Sequence, residues 1–422
     1  MANRGDRPLE VAGRYFAVLD QLWPANVVCV AELDTVFSPE EVDAAWQQLC
    51  SVSPIARARV ADSDRQPFLG DEPAVGCDFR TRDGSFESVV AEEQRIRFDL
   101  ATGPLVRCCY VAADGMSALL VTGHHAVLDA RGGYVLLQRL AGVLAGNAPP
   151  HSSRLPPGLQ DRIRPGMRWP QDRSLALGLL REMAEQRRAA GTVDEVLAPA
   201  GEAVERRLHV SLHRLDETET SALFARSKAV GATGYGMIAA AWLQATHELF
   251  ADGRPAHHLS LTTPVDMRAR LHPPVPADVP GMFSSLISTS HVVGEAGLDA
   301  VANEVSTTVQ AAVDRGEGEV FFALALPGPL DGRGAARLRS ALATTPQSVA
   351  VSNTGRLAEG ADPQWVRSVW FSFAPTPNQV GFVSATTYRG RLTVVACVDH
   401  ARVPIELADR LTTGALGRLR GR

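Results

Sequence analysis

Apolar residues recur along this chain at two periods, and the exchange of one period for the other predicts an α/β protein. The run "VVCVAEL" (27–33) is rich in β-branched residues and bounded by turn formers, which predicts a strand. In "FSPEEVDAAWQQLC" the period changes: Val42, Ala45, Trp46 and Leu49 fall on one helical face, behind a Ser38 cap, Pro39 in the first turn and Glu41 closing a capping box. "PLVRCCYVAA" and "SALLVTG" predict two strands joined as a hairpin around "DGM". In the first of these, alternation sends Cys108 and Cys109 to opposite faces. A helix, "YVLLQRLAGVLAGN", then ends at Gly146 and Asn147.

From Ala148 to about Pro170 the pattern dissolves into "APPHSSRLPPGLQDRIRPGMRWP", whose prolines and basic residues predict a connection. A charged helix, "SLALGLLREMAEQRRAAG", leads to a second half that restarts near "VERRLHVSLHRL". There Asp216, with Glu219 three residues on, caps one helix, and "GYGMIAAAWLQATHELF" is so uniformly apolar that it predicts a buried helix. Strands follow at "HLSLTTPV", "SLISTS", "SVAVSN", "QVGFVSATTY" and "LTVVACVD". The expected organisation is an α/β lobe over 1–147, a connection over 148–204, and a second α/β lobe over 205–422. A cleft between two such lobes is the usual place for a ligand.

The 422-residue length agrees with two lobes, because single cores stop growing at roughly 250–300 residues. A charge of −5, with 21% charged and 45% hydrophobic residues, is ordinary for a globular chain and gives no reason to expect nucleic acid. No stretch approaches the ~18 consecutive apolar residues of a membrane helix, and "MANRGDRPLEVAGRYF" lacks a signal-peptide core, so a cytoplasmic location without membrane insertion is expected. The six cysteines form no C-x-x-C pair or disulfide-like framework and are expected to act as buried small hydrophobes.

One stretch carries candidate chemistry: "VTGHHAVLDARGG" (121–133), where His124 and His125 follow an apolar strand and Asp129 precedes a glycine-opened helix. Side chains at a strand end, ahead of a helix, are well placed to hold chemistry. A metal site is disfavoured, since adjacent histidines diverge and no H-E-x-x-H spacing accompanies them. A Ser-His-Asp hydrolase would need a G-x-S-x-G elbow, which the chain lacks. Taken alone, the stretch reads more readily as histidines satisfied within a turn. A second pair, His257–His258, has Thr262 rather than an aspartate four residues on, and with His247 it is expected to be structural.

Two further tracts change the balance. "RFDLATGPLVR" (97–107) lies upstream and "TTPVDMRARL" (262–271) downstream. Together with the histidine stretch they resemble the condensation-type, CoA-dependent acyltransferase superfamily, whose signature is H-H-x-x-x-D-G. The group includes chloramphenicol acetyltransferase, the plant BAHD enzymes, peptide-synthetase condensation domains and mycobacterial polyketide-associated acyltransferases. "VSNTGRL" (351–357) resembles a strand of the free-standing O-acyltransferase branch, and "RPLE" and "SPIARARV" resemble the family's opening. The plant-type D-F-G-W-G is missing, and Ala130 stands where the signature has glycine.

The resemblance implies two chloramphenicol-acetyltransferase-like lobes, each a mixed sheet flanked by helices, with an active-site tunnel between them. It implies transfer of an acyl group from acyl-CoA or a phosphopantetheinyl carrier protein to a hydroxyl of a polyketide, lipid or other natural product. His125 is then the general base, His124 is structural, and Asp129 forms a buried ion pair with Arg268. The oxyanion donor is an amide just after the aspartate; with Ala130 in the glycine's place, Gly132 and Gly133 are the candidates. Ser352 and Asn353 are candidates for lining the tunnel. No tightly bound cofactor or metal is expected, and the partners expected are a small-molecule acceptor and, as an alternative donor, an acyl carrier protein. The protein itself is expected to be a monomer. Two alternatives stand beside this reading: carrier-dependent condensation to an amide or ester, and a non-catalytic recruitment module.

Overall fold

The computed structural model describes residues 7–63, 66–70, 76–113, 115–152, 154–159, 162–168, 172–197, 205–250, 253–323, 330–343, 347–358 and 362–421. A five-stranded sheet runs in the order Val366–Phe373, Asn26–Leu33, Met116–His124, Val106–Ala113 and Asp78–Arg82. A six-stranded sheet runs Ser284–Val293, His257–Asp266, Val349–Arg356, Gly381–Tyr388, Arg391–Asp399 and Leu208–Leu215. Each sheet is mixed and flanked by helices, which makes the molecule a two-lobed α/β protein.

Local chemistry accounts for the elements that were readable. Ser38 Oγ accepts from Glu41 N–H and the Glu41 side chain accepts from Ser38 N–H, so the capping box over Pro39–Val52 is complete. Asp216 and Glu219 do the same for Glu217–Ala229. Ala113 pairs with Met116 across a hairpin in which Gly115 takes a left-handed φ of 75°; Asp114 lies outside the described residues. Cys108 and Cys109 are fully buried in different clusters, one on each face of their sheet. The Gly234–Leu249 helix is buried nearly all round, with Met237 through Leu243 inaccessible or almost so. Leu155, Leu159, Ile163 and Met167 of the connecting segment are buried in a hydrophobic cluster that draws residues from both lobes.

Two elements that position the site have no counterpart in the periodicity reading. The helix Val11–Leu22 buries Phe16, Val18 and Leu19 in the first core. The strand Val366–Phe373 arises late in the chain, between strands of the second sheet, yet it pairs antiparallel with Asn26–Leu33 in the first sheet, Val369 opposite Ala31. The chain thus returns to the first lobe before completing the second. Among the described residues no helix is long and apolar enough to cross a membrane.

Candidate active site between the lobes

The strand Met116–His124 ends where its last residue pairs with Asn26, and the chain then turns through 125–129 into the helix Ala130–Leu144. His124 points inward and is fully buried. Its Nδ1 accepts from Ala126 N–H at 3.1 Å and its Nε2 lies 3.4 Å from Asp20 Oδ1. Asp20 in turn accepts from Ala25 N–H and Arg97, both at 3.0 Å. Burial raises the Asp20 carboxyl, but His124, the Ala25 amide and Arg97 outweigh it and hold the group below its ordinary value. His124 therefore anchors the turn.

His125 points the other way, into a cavity of about 120 Å³ lined by both lobes. Its Nδ1 lies 2.9 Å from Leu128 O, and since a carbonyl only accepts, the proton belongs on Nδ1. That tautomer leaves the Nε2 lone pair free to act as a base. Phe16 stacks on the imidazole with 3.9 Å between ring centroids and 25° between planes, and Phe373 meets it edge-on at 5.0 Å. Burial among these rings lowers the His125 pKa to about 4, with Asp129 and Leu128 O pulling weakly the other way. The imidazole is neutral throughout the physiological range.

Asp129 does not orient His125. Its side chain caps the following helix, Oδ1 accepting from Gly132 N–H at 2.7 Å, and its oxygens receive Arg268 at 2.9 and 3.0 Å and Phe283 N–H at 2.8 Å. Arg268 also reaches Asp266 Oδ1 at 3.1 Å and lies over the Phe283 ring at 4.6 Å. Both residues are about 97% buried, so the pair ties the first lobe's helix to the second lobe beneath the site. Burial works against the guanidinium charge, but Asp129 and Asp266 more than offset it, raising the Arg268 pKa. A second tie runs alongside, Arg131 reaching Asp266 at 3.2 Å and Thr354 O at 2.8 Å.

Both amides expected as oxyanion candidates, Gly132 and Gly133, already have partners. The Gly132 amide is committed to Asp129 Oδ1 and the Gly133 amide donates to Asp129 O at 2.9 Å. These glycines serve packing: a Cβ on Gly132 would sit 2.7 Å from Gly281 N, and one on Gly133 would sit 2.4 Å from Cys29 Sγ. The helix's first two amides, Ala130 and Arg131, have no partner among the described residues, as expected of a helix N-terminus, and both residues line the cavity.

Ser352 and Asn353 both line the cavity; the Asn353 side-chain Oδ1 accepts from Gly355 N–H at 2.7 Å. Periodicity and motif spacing did not point to Tyr15, Phe16, Phe373 and Phe382, nor to Thr262, Gln347 and Gln379, which complete much of the wall. No cysteine lines it. Cys29, behind the helix, has its thiol pKa pushed up by burial and by Asp129. Among the described residues no three His, Cys, Asp or Glu side chains converge as a metal-binding group.

His257 and His258 lie elsewhere. His257 Nδ1 is 2.7 Å from His247 Nδ1, and His258 Nδ1 is 3.1 Å from Thr192 O.

Residues 205–396 match the family described as phthiocerol/phthiodiolone dimycocerosyl transferase C-terminus. No curated protein matches the chain. Among solved structures, polyketide synthase associated protein 5 from Mycobacterium tuberculosis superposes with a TM-score of 0.67 at 16% identity, covering 98% of this chain and 99% of that one. The trichothecene 15-O-acetyltransferase of Fusarium sporotrichioides gives 0.72 at 11% identity, covering 98% and 94%. The first condensation domain of the calcium-dependent antibiotic synthetase gives 0.67 at 16% identity, covering 98% and 97%. With its second lobe matched to that transferase family, the chain has the two-lobed fold of the condensation-type, chloramphenicol-acetyltransferase-like acyltransferase superfamily.

Proposed function

We propose that this protein transfers an acyl group from a thioester, carried by coenzyme A or a phosphopantetheinyl carrier protein, to a hydroxyl of a small natural-product acceptor. The observation that carries the reading is the fixed tautomer of His125, with Nδ1–H on Leu128 O and Nε2 left as a base in the inter-lobe cavity. The likeness to a polyketide synthase associated protein and an O-acetyltransferase supports a natural-product acceptor.

Nε2 accepts the acceptor's hydroxyl proton while the oxygen attacks the thioester carbonyl. The oxyanion of the tetrahedral intermediate forms at the N-terminus of the Ala130–Leu144 helix, where the Ala130 and Arg131 amides supply donors that need no reorganisation. Collapse breaks the carbon–sulfur bond, and the departing thiolate takes the proton back from Nε2. Asp129 and Arg268 hold the two lobes, and hence the two walls, in register.

Direct transfer needs both substrates at once, since holding reactants together is worth up to roughly 7–11 kcal/mol. The expected kinetics are intersecting double-reciprocal lines. Weighing the intact chain after incubation with labelled acyl donor alone tests the mechanism: no adduct is expected. A stoichiometric adduct that chases into product on adding acceptor would shift the chemistry to a nucleophile.

A further inference from the structure

Side-chain alternation gives the second lobe's sheet two unlike faces. Leu261, Val349, Val351, Val383 and Ala385 turn to the Gly234–Leu249 helix and form an aliphatic core. Between them Thr262, Ser352 and Thr354 turn to the cavity. A buried face against another lobe is ordinarily apolar, so these hydroxyls need partners. Thr354 has them, Thr386 Oγ1 at 3.0 Å and Ala385 O at 3.3 Å. Thr262 is 92% buried, lines the cavity, and its Oγ1 has no partner among the described residues. Ser352 stands on the neighbouring strand with similar burial, and Gln347, held by Gln379 and Thr376 at 3.0 and 3.1 Å, continues the same wall.

An unpartnered buried hydroxyl destabilises the fold, and valine would fill the same shape without that cost. His125 itself is flanked by Phe16 and Phe373, with Phe382 against Phe373. We propose that Thr262, with Ser352, forms a hydrogen-bonding subsite for a polar group of the substrate, a hydroxyl or an amide, beside the reacting bond. This rests on the transferase reading above and deepens it, because it selects against substrates that are bare hydrocarbon next to the reacting centre. Two carriers share that chemistry: a second hydroxyl on the acceptor, or an amide of the donor's pantetheine arm.

The experiment compares wild type, Thr262→Val and Thr262→Ser in two arms. The acceptor arm sets hexane-1,3-diol against hexan-1-ol, and the donor arm sets S-acetyl-N-acetylcysteamine against S-butyl thioacetate, scored by kcat/KM. Wild type should prefer the polar member in one arm by about tenfold, the discrimination one hydrogen bond affords. The valine variant should lose that preference and the serine variant keep it, and the arm that responds names the carrier. The melting temperature of Thr262→Val should equal or exceed that of wild type. Unchanged preference in both arms overturns the subsite, and so does a lower melting temperature, which would mean that the hydroxyl is bonded within the fold. If no thioester is turned over at all, the transferase reading fails separately. Thermal stabilisation by the diol and by N-acetylcysteamine, compared between wild type and Thr262→Val, then decides the subsite alone.

Discussion

The chain writes the same dipeptide twice, and the two copies lead different lives. His124–His125 closes a strand and faces a helix N-terminus; His257–His258 opens a strand near the end of the Gly234–Leu249 helix. In both, alternation buries one ring and frees the other. At the first pair the buried ring is tied to Asp20, and the freed one stands neutral in a cavity between two phenylalanines. At the second, the buried ring meets His247 and the freed one meets the carbonyl of Thr192 in the segment joining the lobes. Four residues on, the first has Asp129, bound across the lobes to Arg268, and the second has Thr262. What separates the histidine proposed as the base from the structural pair is what the other lobe brings to it.

The largest expected effect therefore concerns the cross-lobe tie. Asp129→Ala or Arg268→Ala should each lower unfolding stability by about 3–5 kcal/mol, because each leaves a buried charge without its partner. The double mutant should lose less than the sum, since it strands no charge. Urea denaturation of all four proteins measures this, and additive losses would mean that the pair is not what couples the lobes.

His125→Ala should lower turnover by about 10²-fold or more with the fold intact, whereas His258→Ala should turn over like wild type. Equal effects at the two positions would erase the distinction drawn between the pairs. Steady-state rates alongside circular dichroism check it.

His125, Asp129 and Arg268 were legible because they sit in short tracts of fixed spacing, and the helices over Pro39–Val52 and Glu217–Ala229 because their caps are local. The aromatic wall was not. Phe16 comes from the Val11–Leu22 helix, and Phe371 and Phe373 from the Val366–Phe373 strand. That strand pairs with residues more than 330 positions earlier, as Phe373 opposite Val27 shows, and no local period encodes such a partner. The packing role of Gly132 and Gly133 was hidden for a related reason. Glycine in the motif reads as an open amide, while in space Gly132 and Gly133 make room for Gly281 and Cys29.

The pH dependence sharpens the contrast further. With the His125 pKa lowered to about 4, kcat/KM should stay level from neutral pH down to about 5 and fall as pH approaches 4. Stability has the same sign. The unfolded chain protonates this imidazole at its ordinary value of 6.5 and the native chain only near 4, so between those values the unfolded state holds more protons. The contribution is present above 6.5 and lost as pH falls through the window. His125→Asn should flatten that part of the stability profile, and a profile unchanged by the substitution would refute the burial argument.

The smallest expected effect lies at His258, and its smallness is the point. The ring's contact there is one hydrogen bond to Thr192 O at 3.1 Å, at a half-buried position. The tie between this strand and the inter-lobe segment does not need the ring. It runs through the backbone, His258 N–H donating to Asp194 Oδ2 at 2.8 Å and Asp194 N–H donating to His258 O at 2.8 Å, with Arg254 holding Asp194 at 2.9 Å. Alanine keeps every one of these, so His258→Ala should change unfolding stability by no more than about 0.5 kcal/mol, as expected away from buried networks. Arg254→Ala acts on the carboxylate itself and should cost more than the histidine substitution. If the order is reversed, the imidazole carries the attachment, and the second histidine pair has a structural role as specific as the catalytic one proposed for the first.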